Sequence, residues 1–576
     1  MVKNVLGLLN HKQKLNIVFL LILMVIGAFL ETGVVSLIMP LVSIILDPSA
    51  VDDTKVIKMV YDWLQCDSYT QFLMIIIWSM FAGYIVKNVF LFFMNYQQAK
   101  FVTKNQFEMS KQLLTNFLNK PYEYYLNAST GNIIRIIQGD VGNVFALLNN
   151  LLQFVTEMFV AICMVALLIV MDPLMTITIM GILGGTMVAS KVAFQGKLGK
   201  AGEQSQHYNT LMNKWMIHSI EGIKDIKILH KEKHFVQRYD VNGKKAASAQ
   251  RKNAVLSQAP RLIIETVSMC GMLAVLAFML SNGQNVSTIL PRIATFGLAA
   301  VRLMPSANRM NTYLNAISFL EPSLRTVCED IDTSNMMRKK AIIKNCGDET
   351  INEIKDKIEV SHITYAYPGT DKPLFDDVNM DVPVGKSVAV VGPSGAGKTT
   401  IIDILLGLLE PQAGEILADG VNIQNNYAGW LSKIGYIPQS IFMIDDTIKN
   451  NIAFGLADED IDEERIWKVL EDAQLAEHIR SLPKGIETGI GEKGVRMSGG
   501  QRQRLGIARA LYHNPEILVF DEATSALDND TEAAIMESIN RFQGEKTMII
   551  IAHRLGTIKN CDMVYRVENG QITLEK

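Results

Sequence analysis

The sequence has few cysteines and no surplus of positive charge. Only 6 of its 576 residues are cysteine, and they are scattered without a Cys-x-x-Cys pair, which argues against a zinc site or a disulfide framework. The cysteines are therefore predicted to be small buried hydrophobic residues. Lysine and arginine number 55 against 58 acidic residues, for a net charge of -3. The chain thus lacks the basic excess that is typical of proteins that bind nucleic acid.

Charge is also nearly absent from a long stretch near the start of the chain. Leu15–Leu46 contains one charged residue, Glu31. As a helix it would be about 48 Å long at about 1.5 Å per residue, whereas the hydrocarbon core of a membrane is about 30 Å thick. We therefore expect a spanning helix that projects beyond the membrane. The run is also too long for the apolar region of a signal peptide.

Further uncharged or nearly uncharged runs follow and predict a total of six spans. These are Phe72–Met94, Phe145–Met171, Leu174–Ser190, Leu262–Leu280 and, interrupted by Arg292 and Arg302, Val286–Met304. Six spans place both termini on one side of the membrane. Basic segments stay in the cytoplasm, and residues 191–252 carry thirteen lysines and arginines. We therefore expect cytoplasmic termini, with residues 95–144 and 191–260 extending the spans into the cytoplasm.

The second half has a different pattern. Residues 321–350 are polar and are predicted to form a linker between a membrane domain, 1–320, and a soluble domain, 351–576. In the soluble domain, short β-branched runs alternate with helical patterns. Examples are the predicted strands Ser387–Gly392 and Pro515–Ala523 and the predicted helix Lys398–Leu409. This alternation indicates a mainly parallel sheet that is covered on both faces.

Gly392–Thr399 fits the pattern G-x-x-x-x-G-K-[ST], between a predicted strand and a predicted helix. Its glycines allow backbone N–H groups to surround a phosphate, and the helix N-terminus favours negative charge. Lys398 would reach the β- and γ-phosphates, and Thr399 would offer its hydroxyl to Mg²⁺. The remaining predicted nucleotide-binding positions of the loop are Gly392, Ser394, Gly395 and Gly397.

A hydrophobic run, Ile517–Phe520, ends in two carboxylates, Asp521 and Glu522. Asp521 would hold Mg²⁺, and Glu522 would act as the general base that activates water. Without the phosphate loop, two acids at a strand end would be more simply explained as solvent-facing groups. With it, they predict a nucleotide-hydrolysing site.

Three more features point to the same site. Met497-Ser498-Gly499-Gly500-Gln501 opens a predicted helix, and its small residues permit close approach to an anion. Gln439 follows the predicted strand that contains Ile434–Ile437, and His553 ends the last strong predicted strand. Both side chains are predicted to reach toward a γ-phosphate, and Gln439 also toward the metal.

Taken together, residues 351–576 resemble the ATP-binding cassette family, because all of these motifs occur in the family's order. The resemblance implies ATP and Mg²⁺ as cofactors. It also implies that Tyr367 stacks on adenine and that Thr400, Ser498, Gly499, Gly500, Gln501 and Asp528 contact nucleotide. Glu492 resembles the acidic residue that senses the membrane half. Met497 stands where the family usually has leucine. The implied fold is an all-α six-helix transmembrane domain of exporter type followed by an α/β P-loop NTPase cassette.

The resemblance also implies a homodimer, because in this family the signature of one cassette closes over the phosphate loop of another. Six spans ahead of the cassette imply export from the cytoplasm. Ser219–Leu229 resembles the family's coupling region, although an amphipathic helix is the simpler interpretation.

Cations in or beside the spans suggest the kind of cargo, since such residues usually face a cavity or a partner. Glu31–Pro40 and Arg302–Met310 resemble segments of bacterial flippases for lipid-linked oligosaccharides, which act in the inner membrane. The resemblance implies that Arg302 and Arg309 contact a pyrophosphate, and position alone suggests the same for Lys87 and Arg261. Alternatively, these cations reach the interface or pair with Glu31, Glu157 or Glu265. A multidrug, lipid or peptide exporter remains the alternative function. The six spans argue against a third possibility, a cassette ATPase that acts on DNA or in translation.

Overall fold

The structure is a computed structural model. It describes residues 1–36, 59, 61–64, 68–171, 173–281, 286–345, 353–370, 372–521, 541–552, 558 and 560–576. The chain divides into two compact units. The first comprises Met1–Lys120 and Asn127–Asn335, and the second comprises Pro121–Leu126 and Met336–Lys576.

The first unit is helical throughout its described residues. Its α-helices, together with α4, are α1 (Val2–Gly7), α2 (His11–Ser36), α3 (Tyr69–Leu118), α4 (Tyr122–Asn127), α5 (Thr130–Ile134), α6 (Val141–Met171), α7 (Pro173–Glu221), α8 (Ile223–Ile228), α9 (Glu232–Ser281) and α10 (Val286–Asn345). A π-helical turn, Arg135–Asp140, joins α5 to α6.

Four helices are far longer than a membrane requires. Helix α3 has 50 residues, α7 has 49, α9 has 50 and α10 has 60, so each is about 75–90 Å long at about 1.5 Å per residue. The apolar runs therefore continue into polar helix, as the sequence predicts. Among the described residues, three helices are long and apolar enough to cross a membrane, within His11–Val34, Tyr69–Leu118 and Thr130–Ala166.

Helix α10 continues to Asn345, although residues 321–350 were expected to be a linker. Between Pro322 and Gly347 the sequence contains no glycine and no further proline. Leucine, methionine, isoleucine and charged residues favour helix at such positions. Polarity alone therefore did not indicate where the helix ends.

The second unit contains two sheets. The first is antiparallel with strand order β2-β1-β4-β5, and the second has strand order β10-β9-β3-β8-β7-β6. The strands are β1 (Lys357–Tyr365), β2 (Phe375–Pro383), β3 (Ser387–Val391), β4 (Ala413–Ala418), β5 (Val421–Asn422), β6 (Ile434–Ile437), β7 (Ile517–Asp521), β8 (Thr547–Ile551), β9 (Met563–Glu568) and β10 (Gln571–Leu574). In the second sheet only the β9–β10 pair is antiparallel, so the predicted parallel sheet is confirmed.

Helices cover the second sheet. They are α11 (Lys398–Leu405), α12 (Tyr427–Ser432), α13 (Ile448–Ile452), α14 (Glu463–Asp472), α15 (Ala476–Ser481) and α16 (Gly499–Tyr512). Alternate residues of β3 face opposite sides: Val388 and Val390 pack in one hydrophobic cluster, and Ala389 and Val391 in another. Burial on both faces explains why this strand has no polar residue between Ser387 and Gly392.

Candidate functional site

The predicted catalytic motifs meet at one edge of the parallel sheet. Val390 of β3 pairs with Ile551 of β8, and Ile551 pairs with Asp521 of β7. Phe520, the residue before Asp521, pairs with Ile437 of β6. The carboxyl ends of these four strands are therefore level, which is where ligands bind in open α/β sheets.

The phosphate loop connects β3 to α11. Gly397 is the N-cap of α11 and has a φ of 105°, and a Cβ there would lie 2.8 Å from Cζ of Phe375. Gly392 has a φ of 149°, and a Cβ there would lie 2.2 Å from the carbonyl oxygen of Val567. Because only glycine satisfies both positions, the loop can curl close to the helix N-terminus.

Lys398 lies across this loop. Its Nζ donates hydrogen bonds to the carbonyl oxygens of Gly392 (3.1 Å) and Pro393 (2.9 Å), and the residue is 5% exposed. Ser394, Gly395 and Thr399 are exposed. The loop thus offers backbone N–H groups, an ammonium and a hydroxyl, which is a donor set that fits the phosphates of ATP.

Tyr367, the predicted adenine-stacking residue, lies beside the first turn of α11. Its hydroxyl is 2.8 Å from Oγ1 of Thr400, and its ring meets that of Tyr365 edge-on at a centroid distance of 5.3 Å. The structure therefore brings Tyr367 and Thr400 together, two residues that are 33 positions apart in the sequence.

Asp521 ends β7 and is 6% exposed, although it carries a carboxylate. The hydroxyl of Tyr436, on the neighbouring strand β6, donates a hydrogen bond of 3.3 Å to its Oδ2. Carboxylate and hydroxyl oxygens are the ligands that Mg²⁺ prefers. Asp521 and Thr399 therefore suit the metal that accompanies ATP.

Asp403 is a second acidic residue at this site, and sequence analysis missed it. It lies on α11 four residues after Thr399, so the two share one face of the helix. Burial, and then the charge of Asp521, raise the pKa of Asp403 to about 6. The four-residue spacing was the signal in the sequence that could have revealed it.

A short segment from the helical half of the sequence, Pro121–Leu126, belongs to the cassette unit. The backbone N–H of Glu410 donates to Oε1 of Glu123 at 3.2 Å. Burial and the charge of Asp403 raise the pKa of Tyr122. Burial, and then Glu123, raise the pKa of Tyr365 to about 12. This segment therefore lies beside the residues that surround Tyr367 and Asp403, which the sequence did not predict.

The signature motif forms the N-terminus of α16. The Ser498 hydroxyl accepts a hydrogen bond from the Gln501 N–H (3.2 Å), and Oε1 of Gln501 accepts one from the Ser498 N–H (2.8 Å). This capping box fixes the start of the helix. Ser498 and Gly499 are exposed and Gly500 is buried. Within the described part of the chain, no hydrogen bond or ion pair connects this motif to the phosphate loop.

The structure describes only some of the remaining predicted residues of the cassette. Gln439 follows β6 and is exposed, and Glu492, in the 3-10 turn Glu492–Gly494, is also exposed. Glu522, Asp528 and His553 lie outside the described residues.

The predicted substrate cations of the helical unit differ in their surroundings. Arg309 binds Glu157 through two hydrogen bonds, from Nε to Oε1 at 2.6 Å and from Nη2 to Oε2 at 3.0 Å. Nζ of Lys87 lies 5.0 Å from the ring centroid of Tyr84. Arg261 is exposed, and the side chain of Arg302 lies outside the described ones. Pairing with Glu157 was one of the two expected alternatives to a substrate-binding role for Arg309.

Both halves of the chain match families of known proteins. Residues 375–525 match the family described as ABC transporter, and residues 14–290 match the ABC transporter transmembrane region. The chain belongs to the ABC transporter family. It carries both the membrane domain and the cassette, so it is an integral membrane protein that binds ATP and couples ATP hydrolysis to transport.

Curated relatives of the transporter include two bacterial proteins named ATP-dependent lipid A-core flippase. That of Chromobacterium violaceum is 29% identical over 466 residues, which cover 81% of this chain and 78% of the relative. That of Bordetella avium is 28% identical over 491 residues, which cover 85% and 82%.

A solved structure supports the fold. It is the structure of a bacterial Atm1-family ABC exporter with ATP bound, with a TM-score of 0.76 and 20% sequence identity, and it covers 99% of this chain and 95% of that one. The predicted exporter fold, with a helical membrane region before an α/β cassette, is therefore confirmed.

Proposed function

We propose that the transporter is a homodimeric flippase that moves a lipid-linked oligosaccharide outward from the cytoplasmic leaflet of a bacterial inner membrane. The observation that carries this proposal is the similarity, over about four fifths of the chain, to relatives named lipid A-core flippases. A lipid-linked oligosaccharide is likewise an amphiphile with a lipid part, and its phosphate would suit the cations in and beside the spans. The bacterial source of these relatives supports the proposed membrane.

A homodimer follows from the division of the ATP site. The chain has one phosphate loop and one signature motif, and the exposed N-terminus of α16 offers backbone N–H groups to an anion. The signature of one subunit closes over the nucleotide held by the phosphate loop of the other. Each dimer therefore has two equivalent composite sites.

In each site, the phosphate loop binds ATP and Lys398 neutralises its terminal phosphates. Thr399, Gln439 and Asp521 would hold Mg²⁺, which would supply neutralisation of the charge that develops on the γ-phosphate. Tyr367 stacks on adenine once its hydroxyl leaves Thr400. Glu522 accepts a proton from the attacking water, while His553 and Gln439 position the γ-phosphate and that water.

Two segments are suited to transmit this event. Pro121–Leu126 lies within the cassette unit beside Asp403 and Tyr365. Helix α8, within the predicted coupling region Ser219–Leu229, exposes Ile223 (51%) and Ile228 (65%). Exposed apolar residues at the end of a helical hairpin are suited to dock on another surface.

The cargo's charged group would be received by cations of the membrane domain. Arg261 has no acidic partner among the described residues, and Lys87 contacts only an aromatic ring there. These two and Arg302 are better candidates than Arg309, because Glu157 already neutralises Arg309.

The experiment is to measure ATPase activity of the purified transporter in nanodiscs against a panel of amphiphiles. A lipid-linked oligosaccharide with a pyrophosphate should stimulate hydrolysis, and the same sugar without lipid should not. Stimulation by cationic drugs or by peptides alone would reject the substrate and keep the transporter class. Lys87→Ala and Arg261→Ala should reduce the stimulation, whereas the control Lys14→Ala should not.

A further inference from the structure

A basic groove lies between α7 and α9 of the helical unit. On α7 it is lined by Lys197 and Lys200, and on α9 by Arg251 and Lys252. Its volume is about 520 Å³, which falls within the range of small-ligand sites.

Helical geometry explains why these cations gather. Lys197, Lys200 and Gln204 are three, four and seven positions apart along α7, so they share one face. Arg251, Lys252 and Val255 lie on the facing side of α9, and the two helices pack along their lengths. Four positive charges are thereby concentrated at one groove.

Nothing in the described part of the chain neutralises these charges. None of the four cations forms an ion pair there, and all four are exposed. The neighbouring acid on α7, Glu203, instead binds Arg325 at 3.0 Å. Like charges repel one another at such spacing, so an anion in the groove would be favourable.

The groove also has apolar walls. Val255 is 62% exposed and lines the groove together with Leu256 and Ala201. A soluble anion would gain nothing from these side chains, whereas an amphiphile could place its apolar part against them.

The groove residues of α7 and those of α9 lie at similar distances beyond the ends of their membrane spans. A span that begins at Pro173 leaves the hydrocarbon about 20 residues later, near residue 193. Lys197 and Gln204 then lie about 6 and 16 Å beyond it. Counting back from Ser281 in the same way, the span ends near residue 261, and Leu256 and Arg251 lie about 8 and 15 Å beyond it. This depth is that of lipid headgroups and the water beneath them.

We propose that this groove binds the phosphate headgroup of an anionic lipid from the cytoplasmic leaflet. The cations hold the phosphate and Val255 and Leu256 contact the start of the acyl region. Basic clusters that directly follow a span on the cytoplasmic side favour such lipids, by an amount that corresponds to about a fivefold gain in affinity for each Lys or Arg. The proposal rests on the membrane orientation in the proposed function, but on neither its cargo nor its dimer.

The test uses the full-length transporter in detergent and dioctanoyl phosphatidic acid as the probe, with binding measured by native mass spectrometry. Dioctanoyl phosphatidylcholine and inorganic pyrophosphate are the comparison ligands. We expect phosphatidic acid to bind at least about tenfold more tightly than phosphatidylcholine. Lys200→Ala/Arg251→Ala should weaken its binding by about ten- to thirtyfold, and Lys200→Arg/Arg251→Lys should retain it.

A matched control exists on α3. Lys100 and Lys104 are both exposed, stand one helical turn apart and follow their span at a similar depth. Lys100→Ala/Lys104→Ala should leave binding of phosphatidic acid unchanged. Retained basal ATPase activity shows that each variant is folded.

Any one of the following results would overturn the proposal. The first is equal binding of phosphatidic acid and phosphatidylcholine, or no effect of the double alanine variant. The second is pyrophosphate binding as tight as that of phosphatidic acid, which would indicate a site for a soluble anion. The third is that Lys200→Ala/Arg251→Ala loses self-association but keeps its lipid binding, which would make the groove an interface between copies. If the wild type binds phosphatidic acid here but does not flip lipid-linked oligosaccharide, the proposed cargo fails and the groove remains.

Discussion

The hydroxyl of Tyr436 donates a hydrogen bond of 3.3 Å to Oδ2 of Asp521. Asp521 ends β7 and is almost fully buried, and Tyr436 is the penultimate residue of the neighbouring parallel strand β6. A buried carboxylate that holds a metal needs a second group to orient it. Tyr436 is therefore a positioning residue for the proposed Mg²⁺ ligand.

Tyr436→Phe removes this hydrogen bond and keeps the ring. We expect the Mg²⁺ concentration for half-maximal ATPase activity to rise up to about tenfold, with a smaller change at saturating Mg²⁺. The measurement is a Mg²⁺ titration of ATP hydrolysis. Tyr427→Phe is the control, since Tyr427 is also a partly buried cassette tyrosine. An equal effect of both variants would show that only packing is involved.

Lys398→Ala removes the ammonium that lies across the phosphate loop. We expect loss of ATP binding by at least about tenfold, because a charged hydrogen-bond donor to phosphate contributes about 1.5–3 kcal/mol. Fluorescent ATP titration measures it. Lys386→Ala is the control, since Lys386 is an exposed lysine that pairs with Asp562 at 3.5 Å. Unchanged affinity in Lys398→Ala would show that Lys398 does not contact the nucleotide.

Asp403 predicts a pH dependence of stability. Its pKa in the folded chain is about 6, above the ordinary 3.8, so the folded state binds the proton more tightly than the unfolded state. The contribution to stability is therefore present below pH 4 and is lost as the pH rises through about 6.

Asp403→Asn should make the transporter more stable than the wild type at pH 7.5, by about 1–3 kcal/mol. The difference should shrink as the pH falls from 6 to 4. Thermal unfolding is followed with EDTA and without nucleotide, since a bound cation would lower the pKa. Asp376→Asn, which changes an exposed aspartate, should show no such trend. A constant difference at all pH values would contradict the assignment.

Variants of the ion pair between Arg309 and Glu157 can show whether Arg309 stabilises the fold or contacts the substrate. Glu157 is 9% exposed and the Arg309 side chain is 46% exposed. Arg309→Ala leaves the glutamate buried without its partner, so we expect a loss of about 1–3 kcal/mol, less than for a fully buried pair. The double variant Arg309→Gln/Glu157→Gln should recover most of the lost free energy of unfolding. If Arg309→Ala keeps its melting temperature but loses substrate stimulation, Arg309 contacts the cargo instead.

Sequence patterns predicted the parts of the molecule that depend on local chemistry. Gly392 and Gly397 could be identified because their backbone conformations exclude other residues. The parallel strands were evident from apolar runs such as Ile517–Phe520. Long helices were evident because an uncharged run and a polar helix-forming run follow without a break.

Contacts between distant segments could not be predicted in this way. Tyr436 reaches Asp521 across 85 residues, and Glu123 reaches Glu410 across 287. Neither pair has a spacing that marks it in the sequence, because strand order and packing bring them together. Arg309 also gave no signal that it pairs with Glu157 rather than facing a cavity.

The most direct test of the account is transport in proteoliposomes that contain a fluorescent lipid-linked oligosaccharide. Wild-type transporter with MgATP should move the label to the leaflet opposite the cassettes, while Glu522→Gln should bind ATP and leave the label in place. Equal movement in both proteins, or movement without ATP, would contradict the claim that hydrolysis at the cassette drives the lipid across.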